Sequence, residues 1–348
     1  MDSHKLLFHP QRVARWLEGE DIFPLYMEIS PSGACNHRCR FCAQDYLGYR
    51  PAFLDGERVA GLLAELGQLG LRSVMYAGEG EPLLHRGLAE IVEATTAAGI
   101  DAALTTNGVL LSPALSERLV GGLSWLRVSL NAGTAETYAA VHGTRPEDFE
   151  RVLENLARAV QERDRQGSAC TLGAQLILLP ENAGEVEGLA LRLRDLGADY
   201  LAVKPYAHHP LSSTQAYADY IPSAAAALGE RLASLADGRF QVIFRATAMG
   251  KAGAPRGYER CLALPFWAYL DATGGLWACK MFAGAGEFFL GNVWEAPVAE
   301  IWRGERRREA MVRLRERDVC ECVAGCRMDE VNRYLWTLQH PPPHVNFI

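Results

Sequence analysis

The stretch "GACNHRCRFCAQ" (33–44) places Cys35, Cys39 and Cys42 within eight residues, directly after the short apolar run "LYMEIS" (25–30). Three thiolates on one short loop can hold three irons of a cubane cluster and leave the fourth open, whereas such cubanes normally take four cysteines. A small molecule can coordinate at the vacancy, as substrates do at open catalytic metal positions. A zinc site with His37 as fourth ligand is the alternative for the same residues. A single residue separates His37 from Cys39, which leaves little room for all four side chains around one ion.

Outward from this loop, short apolar runs alternate with helical patterns. The strand candidates are 25–30, "RSVMYA" (72–77), "DAALTT" (101–106), "WLRVSL" (125–130), "TLGAQLILL" (171–179) and "YLAVK" (200–204). Helix candidates between them cover 55–69, 84–98, 113–121, 146–165 and 183–196. Asp55 and Ser112 serve as N-caps, and Gly70, Gly99 and Gly197 as stops. Six strand–helix units in series imply a parallel sheet with right-handed crossovers. Six falls short of the eight of a closed barrel. The expected fold class is therefore α/β, a partial (β/α)6 barrel over 25–220 after a lead-in at 1–24. Ligands of such folds sit at the carboxyl ends of the strands. There lie the cysteine loop, "GEGEP" (78–82), "TNG" (106–108), "SLNAG" (129–133) and "KPY" (204–206). Beyond about residue 210 the pattern changes. "AYADYIPSAAAALGERLASLA" reads as a connector into a helix, "FWAYLDATGGLWAC" (266–279) as a hairpin turning at Thr273-Gly274-Gly275, and 297–317 as one basic amphipathic helix. Residues 221–348 are expected to form a linker and an α+β cluster-binding extension with a C-terminal tail.

Of the 348 residues, 49% are hydrophobic and 22% charged, and the net charge is −7, so the chain lacks the basic face that nucleic-acid binding needs. The N-terminus carries no apolar signal region, and no stretch reaches the roughly 18 apolar residues of a membrane span. A cytoplasmic setting keeps thiols reduced. The nine cysteines then read as metal ligands rather than disulfides, with Cys170 alone as a core residue.

C-x3-C-x2-C with Phe41 before the last cysteine, on the loop after the first strand of a partial barrel, resembles the radical S-adenosylmethionine superfamily. "GEGEP" is similar to the family's Gly-Gly-Glu-Pro segment, with Glu79 in place of its first glycine. "SLNAG" resembles its segment after strand four, with Asn131 where aspartate is usual. The resemblance implies a 4Fe-4S cluster on Cys35, Cys39 and Cys42 whose open iron is chelated by S-adenosyl-L-methionine. One-electron reduction then gives methionine and a 5′-deoxyadenosyl radical that takes hydrogen from substrate. It further implies that Gly80 and Glu81 meet the methionyl ammonium, and that Ser129 and Asn131 bond ribose hydroxyls or the carboxylate. The electron would come from a donor such as flavodoxin or ferredoxin.

The later cysteines, Cys261, Cys279, Cys320, Cys322 and Cys326, resemble the SPASM/twitch extension of such enzymes. C-x12-G-x4-C opens it, and "CECVAGC" (320–326) closes it. A full SPASM domain uses seven cysteines, so five fit the shorter form with one auxiliary 4Fe-4S cluster. Cys261, Cys279 and Cys326 are expected ligands, and Cys320 and Cys322 compete for the fourth place. A zinc knuckle of Cys261, Cys279, Cys320 and Cys326 is the alternative. Lys204 and Tyr206 are the candidate catalytic residues at the mouth, with His208 and His209 behind them. The short lead-in and the missing second auxiliary cluster point to a polyhydroxylated small-molecule substrate, with an oxidoreductase or epimerase outcome. Modification of a ribosomal peptide or maturation of a partner protein is the alternative, and a non-catalytic zinc- or cluster-binding protein the third reading.

Overall fold

The computed structural model describes residues 4–222, 225–250, 256–323 and 325–347. Ser223 and Ala224 of the connector, Ala324 of the last cysteine segment and Ile348 of the tail lie outside the described residues. Ten strands form one sheet: β1 Tyr26–Ile29, β2 Ser73–Tyr76, β3 Asp101–Thr106, β4 Leu123–Ser129, β5 Thr171–Leu178, β6 Tyr200–Pro205, β7 Gln241–Phe244, β8 Trp267–Leu270, β9 Gly275–Trp277 and β10 Phe289–Asn292. Their order is β10-β9-β8-β1-β2-β3-β4-β5-β6-β7. Every pairing from β8 through β1 to β7 is parallel, and β9 and β10 add antiparallel at the β8 edge. Among the described residues no pairing joins β7 to β8, so the barrel is open as expected, although its parallel strands number eight and not six.

Strand alternation sorts the side chains. Met27, Ile29, Val74, Tyr76, Leu104, Leu126, Val128, Leu172, Leu176, Leu201 and Val203 face the helices and are almost fully buried in one continuous core. Their neighbours on the other face include Glu28, Thr105, Arg127, Ser129, Gln175 and Lys204. This inner face is polar, and several of its residues keep solvent-accessible surface. The helix Gly56–Gln68 begins where Asp55 accepts the amide N–H groups of Glu57 and Arg58, and that at Pro113–Gly122 where Ser112 accepts from Leu115.

Two expectations change. The sheet gains parallel strands at both ends of the six-strand series: β7 follows β6, and β8, the first arm of the expected hairpin, lies parallel to β1. The basic stretch 297–317 is two helices, Val298–Arg303 and Glu305–Glu316, because Gly304 takes an extended ψ of 164° between them. Among the described residues no helix is long and apolar enough to cross a membrane.

Candidate functional site

The early cysteine loop leaves β1 and is held against the helix Ala135–His142. Arg38 N–H donates to His142 O (3.1 Å) and Arg40 N–H to Val141 O (2.9 Å), while Cys42 N–H closes a turn onto Cys39 O (3.1 Å). Burial pushes the Cys35 thiol up to about 11, with the Glu81 and Cys42 charges adding to it. Burial, then Cys42 and Cys35, hold Cys39 well above the ordinary thiol range. Two thiols that burial keeps from ionising, with a third beside them on the same loop, are a poor arrangement without a cation and a good one with it.

His142, which sequence reasoning missed, stands behind this loop. Its Nε2 accepts the backbone N–H of Asn131 (3.1 Å), so Nδ1 carries the proton and donates toward Cys39 Sγ at 3.5 Å. The available signal was a histidine closing the helix right after "SLNAG". His37 is buried, with neither ring nitrogen hydrogen-bonded among the described residues, and burial lowers it to about 4. His37, Cys39 and His142 bring donor atoms within 4.8 Å of one another. Among the described residues the donor atoms brought together are thus one thiol and two histidines, not His37 with all three thiols.

The loop after β2 locks onto the cysteine loop. Glu81 N–H donates to Ala34 O (2.8 Å), and a Cβ on Gly80 would stand 2.2 Å from Ala34 O and 2.4 Å from Ser32 O. Only glycine permits this approach. The Glu81 carboxylate is 3% exposed and accepts from Thr106 Oγ1, Asn107 N (2.7 Å) and Leu83 N (3.0 Å). Burial raises its carboxyl, with those donors opposing. Its side chain therefore fastens the ends of β2 and β3. Asn131 is engaged within the fold in the same way. It is wholly buried, its Oδ1 accepts Ile177 N–H (2.6 Å), and its carbonyl accepts from Asn182 Nδ2 (2.9 Å). The amide braces β4 against β5, and the Ser129 hydroxyl is left without a partner among the described residues, facing inward.

Lys204 ends β6 on the inner face. Burial and then Arg127, Arg327, Arg245 and Lys280 hold its ammonium pKa well below the ordinary lysine value. Tyr206 bonds His208 Nδ1 (3.2 Å) and packs edge-on to Tyr217. His209 stacks on Tyr46 at 4.7 Å.

The structure separates the later cysteines. Burial and the mutual charges of Cys261, Cys279, Cys322 and Cys326 raise the thiols of Cys261 and Cys279. Cys320 is exposed and coupled to Asp318 and Arg256 rather than to any cysteine. Arg256 Nη2 donates to the carbonyls of Cys322 (2.7 Å) and Val323 (3.1 Å), turning Cys322 inward, and Asn332 Nδ2 donates to Cys261 Sγ (3.5 Å). Cys170 is a buried core residue.

One carboxylate of β1 ties down two segments of the later cysteine set. Lys280, beside Cys279, and Arg327, beside Cys326, both pair with Glu28 of β1, Arg327 at 2.9 Å. Glu28 is completely buried. Burial alone would raise its carboxyl, but Arg327 and Lys280 outweigh that and hold it below the usual range.

The donor sets fit iron–sulfur chemistry, three thiols at an open position and four at a closed one. Comparison with known proteins agrees. The family model described as the radical SAM superfamily matches residues 29–193, and that of an iron-sulfur cluster-binding domain matches 261–327. A GTP 3′,8-cyclase of Chlorobaculum tepidum is 31% identical over 191 residues, 54% of this chain and 56% of that protein, so the chain spans about half the cyclase. The mycofactocin maturase MftC of Mycobacterium tuberculosis is 26% identical over 297 residues, 82% of this chain and 71% of its own. The structure of Streptococcus suis SuiB bound to precursor peptide SuiA superposes with a TM-score of 0.66 at 17% identity, covering 86% of this chain and 70% of that one.

Proposed function

Because this chain belongs to the radical SAM superfamily and carries a SPASM iron–sulfur domain, we propose that it is a radical enzyme that modifies a peptide substrate. One observation carries the choice of substrate. The 297-residue alignment with a maturase is too long to fit within either cysteine-bearing part alone, so the likeness runs across both. The 191-residue cyclase alignment does not require that. This replaces the polyhydroxylated small molecule expected from the sequence.

A 4Fe-4S cluster with S-adenosyl-L-methionine supplies, when bound, a hydrogen-abstracting radical, and auxiliary iron–sulfur supplies electron transfer. Cys35, Cys39 and Cys42 would hold the first cluster. Cys261, Cys279, Cys322 and Cys326 would hold one auxiliary cluster, with Cys320 left over. Backbone at Gly80 and the Ser129 hydroxyl would receive the cosubstrate's polar groups. Glu81, Asn131 and His142 keep those positions fixed, and the N–H of His142 steadies the Cys39 sulfur. Lys204, at the inner face, would meet the substrate there. A reducing, cytoplasmic setting and a flavodoxin or ferredoxin donor suit nine unbridged thiols.

Deoxyadenosine release by the anaerobic, reconstituted and reduced protein tests the reading. Peptides should stimulate it above the unstimulated rate, and sugars and cyclitols should not. The reverse order would refute it.

A further inference from the structure

The inner face of the sheet carries more positive than negative charge, and the excess has no structural partner. Glu28 is already shared by Lys280 and Arg327. Arg127 of β4 and Lys204 of β6 add two further cations. Among the described residues the Arg127 guanidinium is hydrogen-bonded or stacked on neutral groups, Thr105 Oγ1 at 3.1 Å, Met75 Sδ at 3.9 Å and the Trp125 ring at 4.8 Å, and Glu28, already shared by two closer cations, acts on it only through space. Its Nε is buried with no hydrogen-bond partner. Lys204 has no hydrogen-bond acceptor or ion-pair partner among the described residues. Both side chains lie deep in the molecule yet keep some accessible surface, as groups lining an internal space do.

Buried cations set against neutral groups and one another oppose folding, and an unpaired buried charge is among the most unfavourable features a core can carry. Elsewhere the chain avoids this. Arg163 pairs with Asp199 (2.6 Å) and Arg307 with Asp21 (2.7 Å). The unpaired pair occurs on the face that looks into the barrel, beside Lys280 and Arg327 of the later cysteine segments. On the strand beside Arg127, position 173, its register partner, is glycine, where a Cβ would meet the Tyr200 ring at 2.5 Å. The Tyr200 ring fills the space that a β5 side chain would take at that level.

We propose that Arg127, with Lys204 nearer the mouth, binds a carboxylate of the peptide substrate inside the barrel. The proposal rests on the peptide reading above. A guanidinium fork matches a planar carboxylate with two parallel hydrogen bonds, and Nε, which now has no partner, is one of the donors of that fork. The carboxylate supplies the negative charge that the inner face lacks, so a neutral or basic peptide is excluded by the same feature that admits an acidic one.

The test uses the cluster-loaded protein, with S-adenosyl-L-methionine saturating. Binding of dansyl-Gly-Glu-Gly-amide, dansyl-Gly-Gly-Gly free acid and neutral dansyl-Gly-Gln-Gly-amide is read by fluorescence, with inorganic phosphate as competitor. One of the two carboxylate probes should bind about tenfold or more tightly than the neutral one, and which of them does assigns a side-chain or terminal carboxylate. Arg127→Met should erase the difference, and Arg127→Lys should keep part of it. Without probe, Arg127→Met should melt at a higher temperature than the parent, since it removes an unpaired buried charge. Equal binding of all three probes, preference for phosphate, loss of probe binding whenever the cosubstrate is present, or lower melting of Arg127→Met would overturn the proposal. Peptide-stimulated deoxyadenosine release that is indifferent to Arg127→Met removes this site while leaving the peptide reading intact. Carboxylate binding without any stimulation by peptides removes the peptide reading, and this assignment with it.

Discussion

Gly80→Ala is the substitution whose effect follows most directly from the geometry. The added methyl would meet two carbonyl oxygens, Ala34 O at 2.2 Å and Ser32 O at 2.4 Å, and Gly33 C at 2.8 Å, all of them backbone. Real Cβ atoms essentially never approach closer than 3.0 Å, so one loop must retreat by 0.6 to 0.8 Å even to reach that limit. No side-chain rotation can relieve the contact. Overpacking of this kind destabilises by about 1–3 kcal/mol. The segment that yields is 32–34, directly before Cys35, because the other side is anchored by the buried Glu81 carboxylate. The retreat also stretches the 2.8 Å Glu81 N–H to Ala34 O bond. The expected result is a folded protein that loses about four irons per chain on reconstitution, keeps the auxiliary set, and no longer cleaves S-adenosyl-L-methionine. Iron analysis, with deoxyadenosine measured by chromatography, reads both. Full iron and unchanged cleavage in a folded Gly80→Ala protein would refute the argument that close backbone approach positions the first thiol.

Three further outcomes follow from the same residues. Glu28→Gln leaves Lys280 and Arg327 buried without a carboxylate and should lower stability by about 3–5 kcal/mol in denaturant unfolding, and a change below about 1 kcal/mol would contradict the burial and pairing described. The folded-state pKa of Glu28 is depressed, so its stabilising effect is present above the unfolded value of about 4.3 and disappears as pH falls through the lower folded value, and this acid-limb dependence should be missing from Glu28→Gln. Cys322→Ala should remove about four irons whereas Cys320→Ala removes none, and the opposite result would reverse the assignment of the fourth ligand. The triple variant of Cys35, Cys39 and Cys42 to alanine should lose about four irons and all cosubstrate cleavage while the auxiliary absorbance persists.

The barrel was legible because its signal is local. "DAALTT" is a strand at 101–106 as read, and helices begin at Asp55 and Ser112 because a side-chain oxygen is available there. The place of β8 beside β1 was not legible, since parallel pairing across more than two hundred residues leaves no trace in either segment. The cysteines were found by type and spacing, but their sorting was not. Cys320 and Cys322 differ in whether Arg256 captures the neighbouring carbonyls, a contact 66 residues away. Glu81 and Asn131 carried the expected residue types in the expected places, yet packing commits their side chains to the ends of β2 and β3 and of β4 and β5. His142 and Arg127 escaped notice because a lone histidine or arginine acquires meaning only from what folding places around it.

Glu28 lies on the first strand of the sheet, and its two cations arrive 252 and 299 residues later in the chain. During synthesis the growing polypeptide therefore lays down a carboxylate that has neither counter-charge until Lys280 is made and lacks the second until Arg327. Contacts so distant along the chain are slow to close. The Glu28 pairing is therefore complete only once the residues of both thiol sets have been made, because Arg327 follows the last cysteine directly.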